Sequence, residues 1–188
     1  IHGFMGIMPD GTLWGATHFG VSPDSSWFAN GYRGSWLFSY NIYSHEANNW
    51  GVPLIGQNLP SFSVDTRRGR LVGTGSLSDY VLCWDCINDK VRFAGAPPNG
   101  WKWWVRSQIC DDETGKFWTC DSNDTKKYRL MSFDPEYNRF ERYEVSPPEN
   151  PYTHTIATLR AHTDRPAMDG YYYWSAMNGA MFRFKPES

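Results

Sequence analysis

One phrase is written four times along this chain. "GTLWGATHFG" starts at Gly11 and "GRLVGTGSLS" at Gly69; each runs glycine, one residue, leucine, an apolar residue, glycine. Weaker copies follow Gly115 ("GKFWTCDSND") and Gly170 ("GYYYWSAMN"). A turn signal precedes every copy: "MPDG", "DTRRG", "DDETG" and "AMDG". Asp-Gly and similar endings supply the left-handed residues that a tight hairpin needs. A third run follows each copy: "WLFSYN" (Trp36–Asn41), "YVLCWD" (Tyr80–Asp85), "YRLMSFDP" (Tyr128–Pro135) and "AMFRFKP" (Ala180–Pro186). Three units then add a fourth run: "NNWGVPLI", "KVRFAGAP" and "RFERYEVS".

Four strands per unit, repeated about every 45–58 residues, is the signature of a β-propeller blade. One four-stranded sheet cannot bury both faces alone; stacking against like sheets does so. No helical periodicity competes. The expected fold is all-β, with about four blades near residues 1–60, 61–104, 105–154 and 155–188 of one propeller domain. Strands within a blade are a, b, c and d, from the axis outward. Blade three is expected to begin near Val105. The last blade lacks its d strand, and closed propellers commonly complete one blade from the other terminus. The chain is therefore expected to be the C-terminal half of a seven- or eight-bladed ring, its partner being the remainder of that ring. The recurring aromatics Trp14, Trp118, Trp174, Tyr40, Trp84, Phe133 and Phe184 are expected to pack between blades.

Composition narrows the class. The 188 residues carry a formal net charge of −2, so no basic excess points to nucleic acid. No apolar run reaches the ~18 residues of a membrane span. Aromatics are 17% of the chain, with ten Trp, which suits many short strands with wet connections. Cys83, Cys86, Cys110 and Cys120 include one CxxC, "CWDC", at a strand end. With no second CxxC and no nearby histidine, it reads as structural.

The b–c loops and d–a connections emerge on one face of a propeller, and the a–b turns on the other. The first face receives the long segments: 18–34, "APPNGWKWWVR" (Ala96–Arg106) and "SPPENPYTHT" (Ser146–Thr155). Long loops on a rigid scaffold are where function concentrates. His18 ends a strand b where the other units carry Ser76, Ser122 and Asn178. His2, Arg106 and His154 begin or lead into a strands, and Arg160 and His162 lie further along "TIATLRAHTDRP". Tyr32 and Tyr152 sit on the long loops, and Lys102 lies among Trp101, Trp103 and Trp104. These aromatic and basic side chains form the expected substrate-binding set.

The face offers almost no carboxylate pair, which argues against a two-carboxylate glycosidase. Nor do its residues assemble the acidic calcium site of a lactonase propeller. Basic and phenolic groups suit an anionic ligand, and indole rings suit a sugar face. One reaction uses such groups: β-elimination in a uronic-acid polymer. Arg neutralises the carboxylate, His or Tyr takes the C5 proton, and a second group protonates the leaving O4.

The blade style, with "LFSYN", "LMSFDP" and "MFRFKP", resembles seven- and eight-bladed propellers of the polysaccharide-lyase type. These include oligogalacturonate, ulvan and rhamnosyl-glucuronate lyases. The resemblance implies axis-lining functional residues, matched by location at His2, His18, Arg106, His154, Arg160 and His162. It implies either no cofactor or a divalent metal held by histidines, toward which "LRAHTDRP" offers one ligand. It implies an acidic oligo- or polysaccharide as partner, with no nucleic acid and no membrane, and a secreted or periplasmic setting. Two alternatives stand beside it. One is a non-enzymatic interaction propeller of kelch or WD type, although the glycine doublet and terminal Trp-Asp of those families are read as absent. The other is a propeller hydrolase or isomerase whose decisive residues lie elsewhere in the ring.

Overall fold

A computed structural model describes residues 6–17, 33–75, 79–104, 108–121, 129–145, 166–176 and 181–186, with the backbone alone of 159–161 and 176. Among these residues there are fifteen strands and one short helical turn, Pro98–Gly100. The chain divides into two compact units, Ile1–Ala96 and Pro97–Ser188.

The first unit holds two antiparallel sheets, each in simple chain order. One comprises β1 (Gly6–Ile7), β2 (Thr12–Ala16), β3 (Leu37–Asn41) and β4 (Ala47–Gly51). The other comprises β5 (Ser61–Asp65), β6 (Arg70–Thr74), β7 (Val81–Asp85) and β8 (Lys90–Gly95). The second unit repeats the plan. β9 (Ile109–Cys110), β10 (Phe117–Asp121), β11 (Arg129–Asp134) and β12 (Arg139–Arg142) form a four-stranded sheet. β13 (Leu159–Ala161), β14 (Tyr172–Ala176) and β15 (Met181–Phe184) form a three-stranded one. The expected a-b-c-d meander is present, and the sheets are β-propeller blades.

The turns explain why the phrase repeats. Asn41, Asp65, Asp85, Asp111 and Asp134 each end a strand or follow its last residue. Each aims a side-chain oxygen at the backbone two residues on, a local bond that competes with strand extension. Asp65 Oδ1 accepts from Arg67 and Arg68 N–H at 3.1 Å. Asp85 Oδ1 accepts from Ile87 and Asn88 at 3.0 Å. Asn41 Oδ1 accepts from Tyr43 at 2.9 Å, Asp111 from Glu113 at 3.2 Å and Asp134 from Glu136 at 2.9 Å. Four residues after each stands a left-handed residue: His45, Gly69, Asp89, Gly115 and Asn138. The Asp10-Gly11 and Asp169-Gly170 turns are tighter versions of the same device, closed by Gly11 and Gly170 N–H to the carbonyls of Met8 and Ala167.

The glycines are also required by space. A Cβ on Gly69 would lie 2.6 Å from Ile87, and one on Gly11 would lie 2.4 Å from the Tyr43 ring. The a–b turn thus seats directly against the c–d turn of its own sheet. Cys86 N–H donates to the Gly69 carbonyl at 2.8 Å, and Ile42 N–H to that of Gly11 at 3.1 Å.

Aromatics fill the space between sheets within each unit. In the first, Trp14, Trp50 and Trp84 form a triangle with centroids 5.8, 6.1 and 6.4 Å apart. Leu37, Leu59, Leu71 and Leu82 are buried in the same unit. In the second, Phe184 lies 4.8 Å from Trp174 and 5.5 Å from Trp118 of the neighbouring sheet.

Three expectations need correction. Tyr40 is exposed rather than packed, because its place on β3 faces solvent and its hydroxyl bonds His45 Nδ1 at 2.8 Å. A terminal Trp-Asp is present once, as Trp84-Asp85 at the end of β7; its siblings end in Tyr40-Asn41 and Phe133-Asp134. The inner chain of the third sheet also begins earlier than Val105, since Trp103 already bridges Asp121 at the end of β10.

Two stability predictions follow from the turns. Gly69→Ala combines left-handed strain with a clash against Ile87, whereas Gly51→Ala, at φ +79° with open space, meets strain alone. Strain of this kind costs about 1–2 kcal/mol, so Gly69→Ala should lose clearly more in urea unfolding; equal losses would refute the seating of the two turns. Partial burial raises the Asp85 pKa, but bonds from the Asn88 side chain and the Asn88 and Ile87 amides outweigh it and hold the carboxyl below its ordinary value. Its stabilisation is therefore complete above the unfolded carboxylate pKa and is lost as pH falls through the depressed native value. Asp85→Asn should flatten that acid limb in pH-resolved unfolding.

Candidate functional site

In the third sheet the b–c end of β10 carries a buried carboxylate, Asp121, 3% exposed. The other b strands end there in Ala16, Thr74 and Ala176. Its two oxygens have different tasks. Oδ1 accepts the Lys102 backbone N–H at 2.9 Å. Oδ2 accepts Nη1 of Arg142, the last residue of β12, at 3.1 Å. The Arg142 guanidinium carbon in turn lies 4.9 Å from the centre of the Trp101 ring. A cation over an indole face is attracted by its quadrupole, by about 0.5–1 kcal/mol where water has access.

The segment from Trp101 to Trp104 is fixed along β10. Trp104 N–H donates to the Cys120 carbonyl at 3.1 Å, and Thr119 Oγ1 donates to the Trp104 carbonyl at 2.9 Å. Between Trp103 and Ile109 the inner chain takes six steps, while β10 takes three between their partners Asp121 and Trp118. The inner chain is thus longer than the strand it lines.

The four described members of the expected binding set separate. Trp101 is half-buried beneath Arg142, and Lys102 is exposed with its backbone tied to Asp121. Trp104 is half-buried and packs on the core around Trp118 and Trp174. Trp103 is a correction: it is 0% exposed and has no face for a ligand. Its Nε1 donates to Gln108 Oε1 at 3.0 Å, and Phe133 and Phe140 meet it edge-on at 6.3 and 5.9 Å. His2, His18, Tyr32, Arg106, Tyr152, His154 and His162 lie outside the described residues, as does the side chain of Arg160; its backbone pairs with Ser175.

Sequence reasoning missed Asp121 and Arg142. Asp121 lies inside the third copy of the phrase, "GKFWTCDSND", and breaks the repeat there, standing where sibling strands end in small uncharged residues. Arg142 sits in the ordinary run "RFER" and carries no signal until the fold brings d to b.

The CxxC behaves as structure. Burial pushes the Cys83 thiol up to about 12 and raises those of Cys86 and Cys120 as well. Thiolate, the form that reacts and ligates, is therefore scarce near neutrality.

No family model matches this chain, and no curated protein matches it. Solved structures do. It is similar to a putative 6-phosphogluconolactonase from Bacteroides fragilis, at TM-score 0.58 and 8% identity, over 100% of this chain and 53% of that one. It is similar to a protein of unknown function from Bacteroides thetaiotaomicron, at TM-score 0.58 and 10% identity, over 98% and 40%. It is also similar to U3-55K, at TM-score 0.56 and 10% identity, over 100% and 52%. The chain spans about half the length of these structures, and at such identities the likeness shows the fold alone.

The cysteine geometry predicts that a thiol reagent added to the native protein at neutral pH is nearly silent, with the full complement reacting after denaturation. Because the native Cys83 pKa is raised, its protonated form stabilises the fold fully below about 9 and the contribution is lost as pH rises toward 12. Rapid native labelling at Cys83 would contradict this burial.

Proposed function

We propose that this propeller recognises an acidic saccharide at the loop end of its blades and cleaves it by β-elimination. The observation that carries the reading is the Asp121–Arg142–Trp101 arrangement, a cation and an indole held together at the b–c end of β10, with the backbone of exposed Lys102 tied to the same carboxylate. Indole stacks on the C–H face of a sugar, and a guanidinium holds a carboxylate by two parallel hydrogen bonds.

The chemistry needs no nucleophile and no water. A neutral His takes the C5 proton. The electron pair forms the C4–C5 double bond, the C4–O4 bond breaks, and O4 takes a proton from a second side chain. Arg neutralisation of the substrate carboxylate makes the C5 proton removable. Sequence position alone nominates His18 as the base and Arg106 as the neutralising cation, with His2, His154, Arg160 and His162 as further candidates and Tyr32 and Tyr152 as candidate substrate contacts.

A second reading, a protein-interaction propeller, draws on the opposite ends of the blades. Tyr43, Ile87 and Tyr137 are each 71–75% exposed on c–d turns. The assay that separates the two is ultraviolet absorbance of the unsaturated product across a panel of uronic-acid polymers. Product formation is expected. His18→Ala and Arg106→Ala should each lower its rate by at least about 10², the usual worth of acid–base help, with unfolding unchanged. No unsaturated product from any polymer would refute the lyase reading and favour binding; full activity in both variants would move the site elsewhere.

A further inference from the structure

We infer that Arg142 is a specificity residue for a substrate carboxylate and that Asp121 is the residue that positions it. The inference rests on the acidic-saccharide reading and assigns two residues to it that the repeat alone does not single out. Arginine carries five N–H donors. Asp121 engages Nη1, and among the described residues the other donors of Arg142 meet no protein acceptor. The side chain is 25% exposed, so those donors have access to solvent. Asp121 is the reverse case: its side chain is 4% exposed and both oxygens are engaged.

The arrangement is therefore a fixed fork. A guanidinium on a flexible stem loses rotamer freedom when it binds an anion. Here the Asp121 ion pair and the Trp101 ring hold it beforehand. The same carboxylate fixes the backbone of Lys102, so the segment that carries Trp101 is held by the same residue. The ligand class is a sugar ring bearing an ionised carboxylate, with that carboxylate on Arg142.

The test compares tetragalacturonate with its methyl ester by calorimetry. The ester keeps the ring and removes the charge. Wild type should prefer the acid by at least about tenfold, the worth of one charge-assisted contact. Arg142→Lys keeps the charge without the fork, and its preference should fall well below that of wild type. Asp121→Asn keeps an acceptor for Lys102 N–H but makes the site one unit more positive. If Asp121 were only a nearby negative charge, that variant would bind the acid more tightly. A positioning role requires the acid-to-ester preference to fall instead. The double variant Asp121→Asn, Arg142→Gln leaves no buried charge unpaired, guards against simple misfolding, and should bind acid and ester alike.

A wild-type preference with Arg142→Lys unchanged, or tighter acid binding by Asp121→Asn, overturns this inference while sparing the saccharide reading. Absence of any acid preference in wild type overturns both.

Discussion

The side-chain oxygen that ends a strand and captures the amide two residues later is the interaction on which this fold depends. It decides where each hairpin closes, and closure decides register. Register matters because side chains alternate: a slip of one residue would send Trp118 to the opposite face and Thr119 in its place. Three turn residues bounded by an Asx residue and a left-handed residue leave little room for such a slip. In the first two sheets the a–b turn then rests on the c–d turn of the same sheet, so two local devices fix one blade end together.

With register fixed, the aromatics have one place to go. Trp84 and Phe133 precede the Asx residue at the ends of β7 and β11, and both are buried. Trp14 and Trp174 occupy the middle of their b strands, Trp118 is the second residue of its own, and all three are buried as well. Adjacent aromatic pairs in such geometries contribute about 0.5–1.5 kcal/mol beyond area burial. The hairpin chemistry and the packing of sheets are thus one constraint: the residue that stops a c strand also fixes which neighbour of it faces inward.

Repetition made the fold legible. Four glycine-ended turns, four following runs and the order of strands could be read directly, because each sheet solves the same burial problem with the same residue types. The site was less legible, for physical reasons. Trp101, Trp103 and Trp104 look alike in sequence, yet Trp103 turns into Phe133 and Phe140 while Trp101 lies under Arg142. Local spacing cannot separate these, because the partners are 30 to 41 residues away in the chain. Tyr40 misled for a related reason. An aromatic before an Asx residue is buried on β7 and β11, but on β3 its ring turns outward to His45. Asp121 and Arg142 become a pair only once strands b and d share a sheet.

The three-stranded sheet shows how far the turn code reaches. At the register position where Asn41, Asp85 and Asp134 close the c–d hairpins, β15 runs into Lys185 and then Pro186. Lysine cannot accept the two amides that the Asx oxygen accepts. This edge therefore lacks the device that folds a fourth strand back in its siblings. It carries a different one. Arg183 and Lys185 project from it, and Arg183 lies 4.4 Å from the Tyr171 ring and 3.6 Å from Asp169. Among the described residues β15 pairs only with β14, and cations and proline along its other edge oppose pairing with a second copy of that edge, since like charges would meet across the ladder.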